Sequence, residues 1–354
     1  MCDFSSYGGP SDEWLALEAT LPPPPTNISL DERKRATNAL REQLAAETMK
    51  TLSPQVQMQD HSIPTRDGSS IEARSYHPLT GLPPTGGPLP VYMHLHGGGF
   101  LFGTLASEDA TCARIAINTH IIVLNINYRH TPEHVYPTAW SDTEDAFEWL
   151  HDNISILGGD PLRVVVGGIS AGAYLTASLT LEKHLGRVAA ARPPIAGQLL
   201  MIPSVGHIDC HGPQLAKLKD ASVSSWETCK DAPILSRAVC RLFMDLLRVE
   251  ELDPSDTRMN PGNASPEQVR GLPPSVFGVA GLDPLRDEGL LFAKMLTEAG
   301  VPTDVNLFRG VPHGFRRYDD RLSESKRWDQ VMERGITWAL AGPQATGDFD
   351  IKTE

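Results

Sequence analysis

Cysteine is scarce and scattered: five residues, at positions 2, 112, 210, 229 and 240 of 354. None falls in C-x-x-C spacing, which argues against a disulfide framework and against a zinc or thiol-redox module. Long apolar runs are also missing, since no stretch approaches the roughly 18 residues that a membrane-spanning helix needs. Positive charge is in deficit, with 31 Lys and Arg against 44 Asp and Glu, for a net charge of −13. Nucleic acid and anionic membrane surfaces both select a basic footprint, so neither is an expected partner. The opening MCDFSSYGGP lacks the basic and apolar regions of a signal peptide, so a cytoplasmic location is expected. On that expectation the Asn-x-Ser triplets at Asn27, Asn153 and Asn263 carry no glycan. No internal repeat is visible.

The chain has an ordinary globular composition, 40% hydrophobic and 21% charged. Its length suits one large α/β domain carrying a subdomain. The first fifty residues read as helical. After the LPPPPT break, Ser29 and Glu32 form a plausible capping box, and Ala36, Leu40 and Leu44 make a narrow apolar stripe expected to lie over another surface. From residue 54 the pattern changes. QVQMQ and IEARSY alternate with period two, and GLPPTGGPLP reads as a loop. Then LPVYMHL, HIIVLNI, LRVVVGG, IAGQLLMI, SVFGVAG and DVNLF are near-continuous apolar runs, the mark of strands buried on both faces of a parallel sheet. Helical segments separate them, which argues for an open α/β sheet. The rhythm breaks at 205–255, where LSRAVCRLFMDLL is helical and no comparable strand appears. The expected organisation is an N-terminal helical cap segment at 1–52, a core at 53–204 and 256–342 interrupted by a second cap segment at 205–255, and a frayed tail at 343–354.

Gly168-Ile169-Ser170-Ala171-Gly172 fits G-x-S-x-G between a strand and a helix. A sharp turn there lifts the hydroxyl above the sheet edge and leaves room for little beyond glycine at the flanks. A glycine-rich packing turn would look the same in isolation. Some seventy residues earlier, His94-Leu95-His96-Gly97-Gly98-Gly99-Phe100 ends another apolar run. Successive glycines let backbone amides approach a developing oxyanion; a flexible loop or phosphate cradle is the alternative, although the P-loop ending is missing. A serine nucleophile needs a base, and the base an orienting acid. Asp283 in GLDPLRDEG and His313 in GVPHGF each follow a predicted strand, at the edge where open α/β sheets place ligands. The order Ser170, Asp283, His313 is that of α/β-hydrolases. Asp287 competes with Asp283 but sits a turn into a helix, where the dipole or a surface pair accounts for it.

The set HGGGF, NYRHTPEHVYPTAWSD, GGISAGAYL, GLDPLRDEG and VPHGF, over roughly residues 60–340, resembles the hormone-sensitive-lipase-type branch of the α/β-hydrolases, carboxylesterases with an HGGG motif. The resemblance implies an eight-stranded, mostly parallel sheet with helices on both faces and a helical cap. It implies attack by Ser170 on an ester carbonyl, served by His313 and Asp283, with the oxyanion held by the amides of Gly98, Gly99 and Ala171. It implies a small-molecule ester substrate and no cofactor or metal. Arg129 and Glu133 match that family's YRxxPE stretch and read as a structural ion pair. Ile169 and Ala173 depart from the GDSAGG form, removing an acid beside the nucleophile but touching neither triad nor oxyanion positions. Phe100, Phe102, Trp226 and Phe243 are candidates to line the substrate pocket, with ordinary packing the alternative for each. His94 with His96 resembles a metal-ligand pair but lacks an HxHxDH continuation, and the run His207 to His211 resembles a cluster whose flanking Gly206 and Gly212 argue against the helix it would need and favour polar loop residues. The expected activity is hydrolysis of short or compact carboxylic esters, including an ester or lactone of specialised metabolism. A non-hydrolytic receptor on the same scaffold, or a lyase or dehydratase using the oxyanion hole, are the rival readings.

Overall fold

The computed structural model describes residues 1–23, 28–81 and 86–354. Part of the proline break at 21–26, part of the loop at 81–90, and Asn27 lie outside those residues. Among the described residues nine strands form one sheet, in the order β1-β2-β4-β3-β5-β6-β7-β8-β9. They are β1 (Val56–Pro64), β2 (Ser70–Pro78), β3 (Leu89–Leu95), β4 (Ile122–Asn127), β5 (Gly159–Ile169), β6 (Gly197–Met201), β7 (Ser275–Leu282), β8 (Thr303–Pro312) and β9 (Ile351–Lys352). β1 pairs antiparallel with β2, and β2 with β4; every other pairing is parallel. The apolar runs become the central strands because both faces are covered: β6 is buried at every position, and β3, β4 and β7 at all but one.

The longer helices are α1 (Asp12–Glu18), α2 (Leu30–Leu52), α3 (Leu105–Thr119), α4 (Thr138–Asn153), α5 (Ala171–His184), α6 (Arg237–Leu247), α7 (Arg286–Glu298) and α8 (Ser323–Leu340). Alternate strand residues sort the core into layers. Tyr92, Val123 and Val165 face Ala113 of α3, Trp328 and Ile336 of α8, and Trp14 of α1. On the opposite face, Met93, Leu124 and Val166 meet Phe147 of α4 and Leu175 of α5. Phe277 and Leu307 meet Leu290 and Leu296 of α7 on that same side. No helix among the described residues is long and apolar enough to cross a membrane.

Three expectations change. The sheet has a ninth strand because the tail does not simply fray: Ile351 and Lys352 pair with Val305 and Asn306, and Arg327 donates to the Lys352 carbonyl at 2.8 Å. Helix α2 has the predicted capping box, but its Ala36-Leu40-Leu44 stripe is not its packing face, with Leu40 57% and Leu44 50% exposed. A polar face turns inward instead. Arg129 does not pair with Glu133: its guanidinium holds the fully buried Asp142 at 2.6 Å and Asp67 at 2.6 Å, while Glu133 pairs with Lys34.

Residues 205–255 contain α6 and several single-turn helices. Cys240, Met244 and Leu247 form the buried face of α6, and Leu218 pairs in a β-bridge with Cys2 of the N-terminal segment.

Candidate active site

Ser170, Asp283 and His313 are each the first residue after a strand, following β5, β7 and β8. β5 and β7 flank β6, and β8 lies beyond β7, so the three residues converge at one edge of the sheet. The Ser170 hydroxyl donates to His313 Nε2 at 2.8 Å, and His313 Nδ1 donates to Asp283 Oδ2 at 2.7 Å. Since a carboxylate only accepts, Nδ1 carries the imidazole proton and Nε2 keeps its lone pair toward the serine. The other Asp283 oxygen accepts from the Leu285 amide at 2.9 Å. Asp283 and His313 are buried and Ser170 is half-buried, which leaves the hydroxyl reachable.

Ser170 occupies φ 56°, ψ −115°, a region that costs a non-glycine residue on the order of 1–3 kcal/mol. The turn is held by its neighbours. Ser170 N donates to the Met201 carbonyl at 2.8 Å, and Tyr174 N to the Ser170 carbonyl at 3.0 Å. Both motif glycines are steric necessities: a Cβ on Gly172 would lie 1.9 Å from the Leu95 carbonyl oxygen, and one on Gly168 would lie 2.3 Å from the Gly172 backbone. Ile169, where the GDSAGG form has an acid, packs against the apolar cluster containing Trp14 and Met201, so packing takes the place of a charge there.

The glycine run after β3 bends back on itself, with φ 140° at Gly98 and φ 62° at Gly99. The Gly98 carbonyl accepts from Leu101 and Phe102 at 3.1 and 3.0 Å, while the Gly98 and Gly99 amides donate to no protein acceptor among the described residues. Ala171 opens α5, where a first-turn amide lacks an intrahelical partner. Backbone donors and a hydroxyl with a hydrogen-bonded base are what acyl transfer requires.

Of the pocket candidates, Phe102 and Phe243 meet edge to face at 6.0 Å. The Phe243 ring stands so close to Gly99 that a Cβ there would fall 2.3 Å from it. Phe100 turns the other way: fully buried, it stacks on Trp140 at 4.9 Å and meets Tyr174 edge-on, so it belongs to the core beneath the loop. Trp226 packs against His211 and under Arg237. Asp287 is buried rather than at the surface. It accepts from Ser225 N and Arg286 Nε, both at 2.8 Å, and has no contact with His313.

The histidines that looked like metal ligands have other occupations. His94 Nε2 donates to Glu108 at 3.2 Å. His211 Nε2 lies 2.8 Å from Glu288 but off the line of a good hydrogen bond, and Asp209 forms a two-point pair with Arg241. Burial pushes the Cys112 and Cys240 thiols up, which disfavours the reactive thiolate at both. Two surface hollows, lined by Pro88, His120 and Arg163 and by His61, His77 and Trp149, sit at the opposite, amino-terminal end of β3 and β4.

A sequence profile described as the alpha/beta hydrolase fold matches residues 92–317, from within β3 to just past His313. This chain is an α/β-hydrolase. Within that family it belongs to the hormone-sensitive-lipase-type branch. The hydrolase is 34% identical to carboxylesterase NlhH of Mycobacterium tuberculosis, over 75% of this chain and 77% of the relative. Among solved structures, a vibralactone cyclase superposes with a TM-score of 0.83 at 27% identity, covering 97% of this chain and 98% of the other. An esterase of Pyrobaculum calidifontis superposes at 0.76, also with 27% identity, covering 94% and 100%.

Sequence reasoning missed the residues beneath the glycine loop of this hydrolase. Arg41 of α2 donates to the Gly97 carbonyl at 3.2 Å and to Glu108 at 2.6 Å. Glu108 is buried, which alone would raise its carboxyl; the His94 hydrogen bond and the Arg41 charge outweigh that and hold it down at about 2. His96 is pushed down to about 4 by burial and stays neutral; its Nδ1 also contacts the Gly97 carbonyl, at 3.2 Å. The only signal for this network was a charged helix face, which ordinarily faces water.

Proposed function

We propose that this hydrolase is a serine carboxylesterase acting on short or compact carboxylic esters. The observation that carries the reading is the Ser170–His313–Asp283 chain of hydrogen bonds, at 2.8 and 2.7 Å, beside a glycine loop whose Gly98 and Gly99 amides have no acceptor among the described residues. Ser170 Oγ attacks the ester carbonyl as His313 Nε2 takes its proton. Asp283 keeps the imidazole in the required tautomer and stabilises the imidazolium. The amides of Gly98, Gly99 and Ala171 receive the tetrahedral oxyanion. His313 then protonates the departing alcohol and activates the water that frees the acid. Phe102 and Phe243 border the space over Gly99 and favour a compact acyl group, while α1, α2 and residues 205–255 act together as a cap. The likeness to a carboxylesterase supports the reaction class.

A second fate for the same acyl-enzyme, capture by a hydroxyl of the substrate to close a lactone, is favoured by the likeness to the vibralactone cyclase. Turnover of a p-nitrophenyl ester chain-length series by wild type and Ser170→Ala tests the esterase reading. Wild type should be fastest on short chains, and the alanine variant should lose both turnover and fluorophosphonate labelling. An inert wild type, or an equally fast Ser170→Ala, refutes it.

A further inference from the structure

Helix α2 lies over the glycine loop and holds it by polar contacts along one face. Lys34 donates to the Thr131 carbonyl at 3.0 Å, and Asn38 accepts from Gly103 N at 2.9 Å. Arg41 donates to Gly97 O, and Glu42 accepts from the Thr104 hydroxyl at 2.7 Å. Positions 34, 38, 41 and 42 share a helix face by their spacing. Ala45 is the one buried residue of the helix, and Met49 and Leu52 pack on the core at its C-terminal end; over 34–42 its inward contacts are polar.

The Gly97 carbonyl is the point that matters for chemistry. In a trans peptide the C=O of one residue and the N–H of the next point in opposite directions. A donor on the Gly97 oxygen therefore fixes the direction of the Gly98 N–H. Three glycines in a row present no Cβ to resist a flip of that peptide unit, so the restraint has to come from outside the loop. Two donors supply it: Arg41 Nη1 and His96 Nδ1, each at 3.2 Å. Arg41 is in turn fixed by the buried Glu108, which His94 also holds.

We propose that Arg41 is a positioning residue for ester hydrolysis, gripping the Gly97 carbonyl from the α2 side so that the Gly98 amide faces the oxyanion. The inference rests on the serine-esterase reading. Losing one oxyanion donor costs about 10²–10³ in kcat. Because His96 shares the grip, Arg41→Met should lower kcat by at least about tenfold and at most about 10³, with KM within about twofold because ground-state binding is untouched. Arg41→Lys, which keeps one charged donor, should recover part of the loss. Glu108→Gln should fall in the same direction, and Leu40→Ser, on the exposed face, should match wild type.

The assay is p-nitrophenyl butyrate turnover per active site, with sites counted by exhaustive fluorophosphonate labelling. It is paired with the affinity of a trifluoromethyl ketone. That ketone takes the Ser170 oxygen on its carbonyl carbon, passes the serine proton to His313, and leaves an oxyanion in the hole. Arg41→Met should weaken it by the same factor as kcat/KM. If Arg41 merely stabilises the fold, the variants lose labelled sites while per-site kcat and ketone affinity stay at wild-type values, and the proposal is overturned. Should Arg41→Met fail to fold, unchanged per-site kcat in both Arg41→Lys and Glu108→Gln overturns it equally. An inert wild type refutes the esterase reading instead, and ketone affinity, read as protection from labelling, still decides the role of Arg41.

Discussion

Asp283→Asn is the substitution whose effect the geometry fixes most closely. Asp283 uses both oxygens, one on the Leu285 amide at 2.9 Å and one on His313 Nδ1 at 2.7 Å. Asparagine has one oxygen and one NH₂. If the oxygen stays on Leu285 N, the NH₂ faces Nδ1 and the imidazole must carry its proton on Nε2. The atom that should accept the Ser170 proton then has no lone pair to offer. If the amide turns over, Nδ1–H is satisfied but NH₂ confronts the Leu285 N–H, leaving a buried donor unpaired at a cost of about 1–3 kcal/mol. The first arrangement is therefore favoured. A swap of this kind in a Ser-His-Asp triad lowers kcat about 10⁴-fold, or about 5 kcal/mol in the transition state. The assay is kcat on p-nitrophenyl butyrate per folded enzyme, beside Asp287→Asn. Asp287 binds Ser225 and Arg286 and not His313, so that variant should remain within about tenfold of wild type. Asp283→Asn retaining more than a tenth of the activity, or Asp287→Asn falling as far, would refute the assignment of the acid.

Two further predictions come from the packing and the titration behaviour. Gly172→Ala puts a methyl 1.9 Å from the Leu95 carbonyl and 2.7 Å from that of His96; these are backbone atoms, so relief requires α5 to move off β3. A loss of about 3 kcal/mol or more, seen as a Tm lower by at least about 5 °C, is expected, and an unchanged Tm would show that the elbow is looser than described. Between pH 7 and 5 the second prediction concerns His96 and His151, each pushed down from 6.5 to about 4, chiefly by burial. The unfolded chain takes up protons there while the folded protein does not, so stability falls as pH is lowered, by up to about 1.4 kcal/mol per pH unit for each histidine. Urea unfolding midpoints at pH 7, 6 and 5 measure this, and a flat or rising profile on acidification would contradict it.

The strands and the residues that join in the Ser170–His313–Asp283 hydrogen-bond chain were legible because the constraints on them are local. A strand buried on both faces writes itself as an unbroken apolar run, and the turn at Ser170 excludes anything but glycine where Gly168 and Gly172 meet Leu95. Helix α2 was misread for a reason of the same kind. Periodicity marks an apolar face, but the surface beneath α2 is a loop of carbonyls, amides and hydroxyls, so the polar side faces in and Leu40 and Leu44 face out. Arg129 paired with Asp142 and Asp67 rather than Glu133 because partners brought together by the fold leave no trace in short-range spacing. Phe100 looked like a pocket residue by adjacency to the glycines, yet φ 60° at that position turns the chain and sends its ring into the core.

That Ser170, Asp283 and His313 each stand one residue past a strand divides the molecule for anyone wishing to change what it accepts. The distances among the three rest on the pairing of β5, β6, β7 and β8. The positions of 205–255 that are not buried, Phe243 over Gly99 among them, can be varied while 163–172, 275–285, 303–314 and the buried Val205, Leu218, Ser225, Cys240, Met244 and Leu247 are left alone. A library built that way varies the wall over the glycine loop while the Ser170–His313–Asp283 chain keeps its supports.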